Sequence, residues 1–160
     1  MIETIHRFYT AFQTLDAEAM AACYHPEIEF QDPAFGLLKG VHAGNMWRML
    51  CASQKGKDFR VEFSNVRMEG TTGRAHWEAF YQFGPKQRSV HNKIEAYFTF
   101  EGDKIILHRD DFDLHKWAKM AMGPMGALLG WTGYFRQKLH AQTNQRLKWF
   151  ESKLEQSSLS

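Results

Sequence analysis

Residues 59–113 constrain the fold more than any other part of the chain, because apolar and polar residues there alternate with period two in four consecutive runs. Phe59, Val61 and Phe63 alternate with Arg60, Glu62 and Ser64. Ala75, Trp77, Ala79, Tyr81 and Phe83 alternate with His76, Glu78 and Gln82. Val90, Ile94, Ala96, Phe98 and Phe100 share a face opposite Ser89, His91, Lys93, Glu95 and Thr99, and a last run spans Lys104 to Asp113. Only the turns Gly70-Thr71-Thr72-Gly73, Gly84-Pro85 and Gly102-Asp103 separate these runs. A parallel connection needs a crossover of about a dozen residues or more, so turns this short force an antiparallel meander with one apolar face.

The residues before the meander supply a cover for that face. Ile2, Ile5, Phe8/Tyr9 and Phe12 recur at helical spacing, and Asp16 caps a second short helix that His25-Pro26 should end. Glu27 to Gln31 reads as a short strand closed by Asp32-Pro33. A third helix, from Gly40 to about Gln54, carries Ala43, Met46, Trp47 and Leu50 on one side. The expected architecture is α+β: a curved antiparallel meander forming a cone, with the N-terminal helices over its concave face. A half-wrapped sheet of this kind leaves a pocket inside.

Composition narrows the class of function. A chain of 160 residues that is 44% hydrophobic suits one globular core. Its 20 Lys+Arg nearly balance 18 Asp+Glu, giving +2, which leaves no field suited to nucleic acid. Cys23 and Cys51 have no metal-ligand or redox spacing, and the first residues lack a secretory pattern, so a cytoplasmic setting is expected. The longest apolar stretch, Met120 to Trp131, is broken by glycines and a proline and falls short of the about 20 residues that span a bilayer, so no stable membrane insertion is expected.

The stretch EFQDPAFGLLKG places Asp32 where a strand delivers its last side chain toward the pocket. The same Asp-Pro step is also a common turn former that accepts local backbone N–H groups. Strand parity points Val90, Asn92, Ile94, Ala96 and Phe98 inward, and the last strand carries His108, Asp110 and Phe112. Asp32, Asp110 and His108 are therefore the candidate catalytic residues. Tyr9, Trp47, Trp77, Asn92, Phe98 and Phe112 are the candidate ligand-pocket residues. Asp110 could instead pair with Arg109 or Arg74, and His108 could serve as a core hydrogen-bonding group. No metal site is expected, because alternation splits His108, Asp110, Asp111 and Asp113 between two faces.

The order of elements, HPEIEFQDP and YFTFEGDKI together resemble the nuclear transport factor 2-like superfamily, in its SnoaL-like and ketosteroid-isomerase-like branch, over roughly Met1 to Asp113. The resemblance implies a cone around a deep apolar pocket, a homodimer, and either enzymes without a cofactor or proteins that only bind or scaffold. In ketosteroid isomerase an Asp base works with an oxyanion-binding Tyr and protonated Asp. Asp32 matches the base, whereas Phe8 and Ala96 stand where the other two would be, and the same superposition implies that His108, Asp110 and Phe112 point inward on the last strand. HRDDFD also resembles the last strand of the limonene epoxide hydrolase branch, whose catalytic aspartate matches Asp110. That branch's Arg and Asp fall near Ile94 and Ala96.

Residues 1–113 are thus expected to form the cone-shaped domain. Residues 114–160 are expected to form a helical extension packed on the same domain or on a partner subunit, ending in a frayed QSSLS. The extension could act as a lid, a subunit interface or a lipid-facing patch. Two functions fit the sequence: an isomerase, cyclase or hydrolase acting on a small hydrophobic molecule with Asp32 as acid or base, or a non-catalytic pocket or scaffolding and dimerisation module.

Overall fold

A computed structural model of the chain describes residues 1–158. The chain order is α1 (Ile2–Gln13), α2 (Ala17–Ala21), β1 (Tyr24–Asp32), β2 (Gly36–Lys39), α3 (Val41–Gln54), β3 (Arg60–Glu69), β4 (Thr72–Phe83), β5 (Arg88–Glu101), β6 (Lys104–Asp111), α4 (Leu114–Met122), α5 (Pro124–Leu129) and α6 (Gly133–Ser158). Six strands form one sheet in the order β2-β1-β6-β5-β4-β3. The meander β3 to β6 is antiparallel throughout, as the short turns require. The sheet is not wholly antiparallel, however, because β1 joins β6 in parallel.

Three boundaries differ from the sequence reading. Pro26 does not end a helix: α2 stops at Ala21 and β1 already begins at Tyr24. A missing N–H is tolerated there because the ladder to β6 is interrupted by a register shift between Tyr24 and Glu29. The four residues of β2 turn back on β1, with Gly36 at φ 74° making the reversal. The last strand ends at Asp111, and Asp113 caps α4 by accepting the Lys116 N–H at 2.9 Å. At the C-terminus, Gln156 to Ser158 of the expected frayed tail continue α6, and the remaining two residues lie outside the described ones.

The main core lies between the concave face of the sheet and helices α1 and α3. Ile5, Phe8, Tyr9 and Phe12 from α1 meet Met46, Trp47 and Cys51 from α3 and inward strand residues such as Phe30, Ile94 and Phe98. A second cluster, of Val90, Leu114, Trp117, Ala118, Ala121 and Leu139, ties α4 and α6 to the open end of the sheet. The helices α4 and α5 pack so closely that a Cβ on Gly126 would overlap the Ala118 carbonyl. From there α6 runs back past β1 and reaches α3, where Glu151 accepts from Asn45 at 2.9 Å and pairs with His42 at 2.7 Å.

Candidate functional site

The open end of the cone encloses a cavity of about 460 Å³ whose walls are mainly aromatic and aliphatic, among them Phe30, Trp47, Trp77 and Trp117. Its polar lining includes the carboxyls of Asp32 and Asp110, the Asn92 amide and the Tyr81 hydroxyl, together with Ser53, Gln54, Gln82, Gln142 and Thr143 and the cations Lys57 and Arg146. The strand register explains the meeting of the two carboxylates. In the parallel pairing Phe30 lies opposite His108 and Gln31 opposite Arg109, so the next step sets Asp32 beside Asp110.

Asp32 performs both roles open to it in the sequence. Its Oδ1 accepts the Ala34 N–H at 3.0 Å and the Phe35 N–H at 2.6 Å, closing the β1–β2 turn. The residue also borders the cavity. Burial among apolar groups raises its pKa from 3.8 to about 7, the neighbouring Asp110 charge adds to the rise, and the turn N–H groups oppose it. Asp32 therefore exchanges its proton near neutral pH.

The turn is itself held from outside by α6. His140 donates to the Pro33 carbonyl at 2.9 Å and Asn144 to the Phe35 carbonyl at 2.8 Å, while the Thr143 hydroxyl, with one proton, lies 2.9 Å from both the Ala34 carbonyl and the Leu139 carbonyl of its own helix. Three consecutive carbonyls thus meet three side chains from successive positions of one helix, spaced so that they share a face.

Behind Asp110 runs a chain of buried hydrogen bonds. Trp47 donates its indole N–H to Tyr24 Oη at 2.7 Å, and Tyr24 bonds His108 Nδ1 at 2.7 Å. His108 Nε2 then meets Asp110 Oδ1 at 3.0 Å, which also accepts the Trp77 N–H at 3.2 Å. An indole can only donate. An ionised Asp110 can only accept, so the imidazole proton sits on Nε2, and the neutral ring's Nδ1 accepts from the Tyr24 hydroxyl. Burial pushes the Tyr24 phenol well above its usual range, so it remains a donor. The network commits Oδ1 of Asp110 and leaves Oδ2 without a hydrogen bond among the described residues, on a residue that borders the cavity.

Tyr81 was not singled out by the sequence, although it stands on the inward face of β4 with Trp77 and Ala79. Trp117 donates to its oxygen at 2.8 Å, so the Tyr81 proton is free to point at a cavity occupant. Burial pushes its pKa up to about 12, against the Trp117 hydrogen bond and together with the Asp32 charge. Only contact with α4, distant in sequence, gives Tyr81 this character.

Other expected site residues fall into two groups. Trp47, Trp77, Asn92 and Phe112 line the cavity with Asp32 and Asp110. The placement of Tyr9, Phe98 and His108 on its wall is corrected: all three are buried in the core behind it. Their inward direction holds, but the cone tapers toward the end where α1 fills it. There Tyr9 stacks on Phe63 at 5.2 Å and Phe98 packs on His108 at 4.4 Å. The Tyr9 hydroxyl has no partner in that layer. A second, open groove of about 810 Å³ on the outer side of the sheet, bordered by Glu27, Lys39, His42 and Leu107, contains none of these groups. Among the described residues, no group of three or more His, Cys, Asp or Glu is placed to hold a metal ion.

A curved sheet wrapped around helices, with an apolar cavity at its open end, defines the nuclear transport factor 2-like class of α+β domains. The family profile described as the SnoaL-like domain matches residues 5–108, and the chain belongs to that family. Similar solved structures include an epoxide hydrolase of the limonene epoxide hydrolase type from M. tuberculosis, with TM-score 0.60 and 21% identity, covering 80% of this chain and 93% of that one. TerC co-crystallised with polyporic acid aligns with TM-score 0.64 and 18% identity, over 76% and 97% of the two chains. A candidate SnoaL-like polyketide cyclase from Jannaschia sp. aligns with TM-score 0.64 and 15% identity, over 77% and 92%. At these identities the likeness establishes the fold. No curated protein matches the chain.

Proposed function

We propose that the cavity binds a small apolar carbonyl compound and that Asp32 moves a proton at the carbon next to the carbonyl. The observation that carries this reading is the meeting, in one apolar cavity, of a carboxyl titrating at about 7 and a Tyr81 hydroxyl whose proton is uncommitted. Ionised Asp32 accepts the carbon-bound proton, and the Tyr81 O–H donates to the carbonyl oxygen as it gains charge. Asn92, whose side-chain amide makes no hydrogen bond among the described residues and borders the same cavity, is a second donor. Asp110, oriented by His108 and Trp77, supports the raised pKa of Asp32 through its charge. This enolisation step is common to isomerase and cyclase chemistry. Helices α4 and α6 belong to the same site in this reading, since Trp117, Leu139 and Thr143 complete its wall.

The test needs no knowledge of the natural substrate. In deuterated buffer, 2-decalone should exchange the hydrogens beside its carbonyl faster with the protein than without. Asp32→Asn should reduce that acceleration by about 10²–10⁴-fold and Tyr81→Phe by about 10–10³-fold. Exchange equal in the wild type and Asp32→Asn would overturn the assignment of Asp32. The alternative, a pocket that binds without turnover or serves a scaffolding homodimer, draws on the two turn hydrogen bonds already accepted by Asp32. It expects ligand-induced thermal stabilisation in both proteins and no exchange in either.

A further inference from the structure

The C-terminal extension carries a surface that the cavity does not use. Met125, Leu128, Trp131 and Tyr134 are 68%, 72%, 72% and 61% exposed, within ten consecutive residues that form the tip between α5 and α6. Isolated exposed apolar side chains are ordinary, but four large ones on one projecting tip are not. The charge distribution supplies a second, independent observation. Between Asp113 and Glu151 there is no acidic residue, while Lys116, Lys119, Arg136, Lys138, Arg146 and Lys148 all fall there. Since the whole chain is only +2, the remainder is net negative, and residues 114–150 form a segregated basic segment, of which Arg146 borders the cavity. Helical spacing continues the tip along α6, where Tyr134, Lys138, Lys148 and Trp149 share an exposed side.

We propose that this tip docks the protein peripherally on an anionic lipid surface, with Met125, Leu128 and Trp131 entering the interface and the surrounding lysines and arginines facing the headgroups. The combination of apolar tip, interfacial aromatics and basic flank is that of a surface-bound amphipathic segment. A second copy of the chain fits the surface less well, because a two-fold contact would set these cations against one another. Nucleic acid would gain nothing from Met125 or Leu128. No helix among the described residues is long and apolar enough to cross a membrane, and docking of this kind requires none. The inner sides of the same helices place Trp117, Met122 and Leu139 on the cavity wall, so a membrane-dissolved ligand would be released close to its site.

The experiment is sedimentation of the full chain with vesicles of phosphatidylglycerol and phosphatidylcholine, and separately with pure phosphatidylcholine. Binding should be confined largely to the anionic vesicles and should fall as salt is raised. Met125→Ser/Leu128→Ser/Trp131→Ser keeps the net charge and should weaken binding at least tenfold with the fold retained, since all three side chains are exposed and the only side-chain hydrogen bond lost among the described residues is that from the Trp131 indole to the Leu128 carbonyl. Lys116→Gln/Lys119→Gln/Lys138→Gln should weaken it similarly. Failure to sediment with anionic vesicles overturns the proposal, as does equal sedimentation of the triple serine variant. So does a wild-type dimer that the serine variant dissociates without any vesicle binding, which would assign the tip to a second copy.

Discussion

Asp32 titrates in a way that makes the site readable by stability as well as by rate. Its folded pKa, about 7, lies above the ordinary 3.8, so the folded protein holds the proton more tightly than the unfolded chain. The resulting stabilisation is fully present below pH 3.8 and is lost as pH rises to about 7. Asp32→Asn can still accept the turn N–H groups, yet cannot ionise. Urea titrations should therefore show this decline flattened in the variant, which is expected to exceed the wild type by about 4 kcal/mol at pH 8. Carbon–hydrogen exchange runs the other way, because it needs the ionised form, and kcat/KM should rise through an inflection near pH 7. A rate that falls over that range would make Asp32 an acid instead of a base. Tyr24→Phe tests the buried chain behind Asp110: it orphans the Trp47 N–H and His108 Nδ1 together, and should cost about 2–3 kcal/mol in urea denaturation.

Among the elements, α6 does more than its sequence announced. Alternation was enough to place Asn92 at the cavity, because parity survives whatever the sheet's curvature, and the family resemblance placed Asp110 and Phe112 there. Depth along the cone is not encoded in parity, which is why Tyr9, Phe98 and His108 point correctly but lie behind the wall. The short β2 was hidden because Gly36-Leu37-Leu38-Lys39 is too brief to show a period. Tyr81 acquires its role through Trp117, and the Asp32 turn its rigidity through His140, Thr143 and Asn144; such partners are settled by packing between distant segments and leave no local pattern. Two consequences can be measured. Thr143→Val/Asn144→Leu should strip the turn of two polar contacts, lower stability by about 2–4 kcal/mol and shift the inflection of the rate profile away from about 7. Gly126→Ala should cost about 2–4 kcal/mol, because the obstructing atom is the Ala118 backbone, which cannot swing aside as a side chain would.

At the scale of the whole molecule, a cone shared by the SnoaL-like family is completed by a basic helical segment that both closes its cavity and faces outward. Binding of an apolar ligand to the folded state alone should raise the melting temperature, by about 2–4 °C for each 1 kcal/mol gained in a chain of this size. A calorimetric scan with 2-decalone reads that directly. The three contacts from α6 to the Asp32 turn also set an order of events in time. They join residues 107 to 109 positions apart, whereas the Asp32 bonds inside the turn span only two or three. Contacts so distant along the chain close late, both during refolding and as the polypeptide leaves the ribosome. The same docking of α6 supplies part of the cavity wall and buries Asp32, so in a refolding time course the capacity to bind and the capacity to exchange protons should return together.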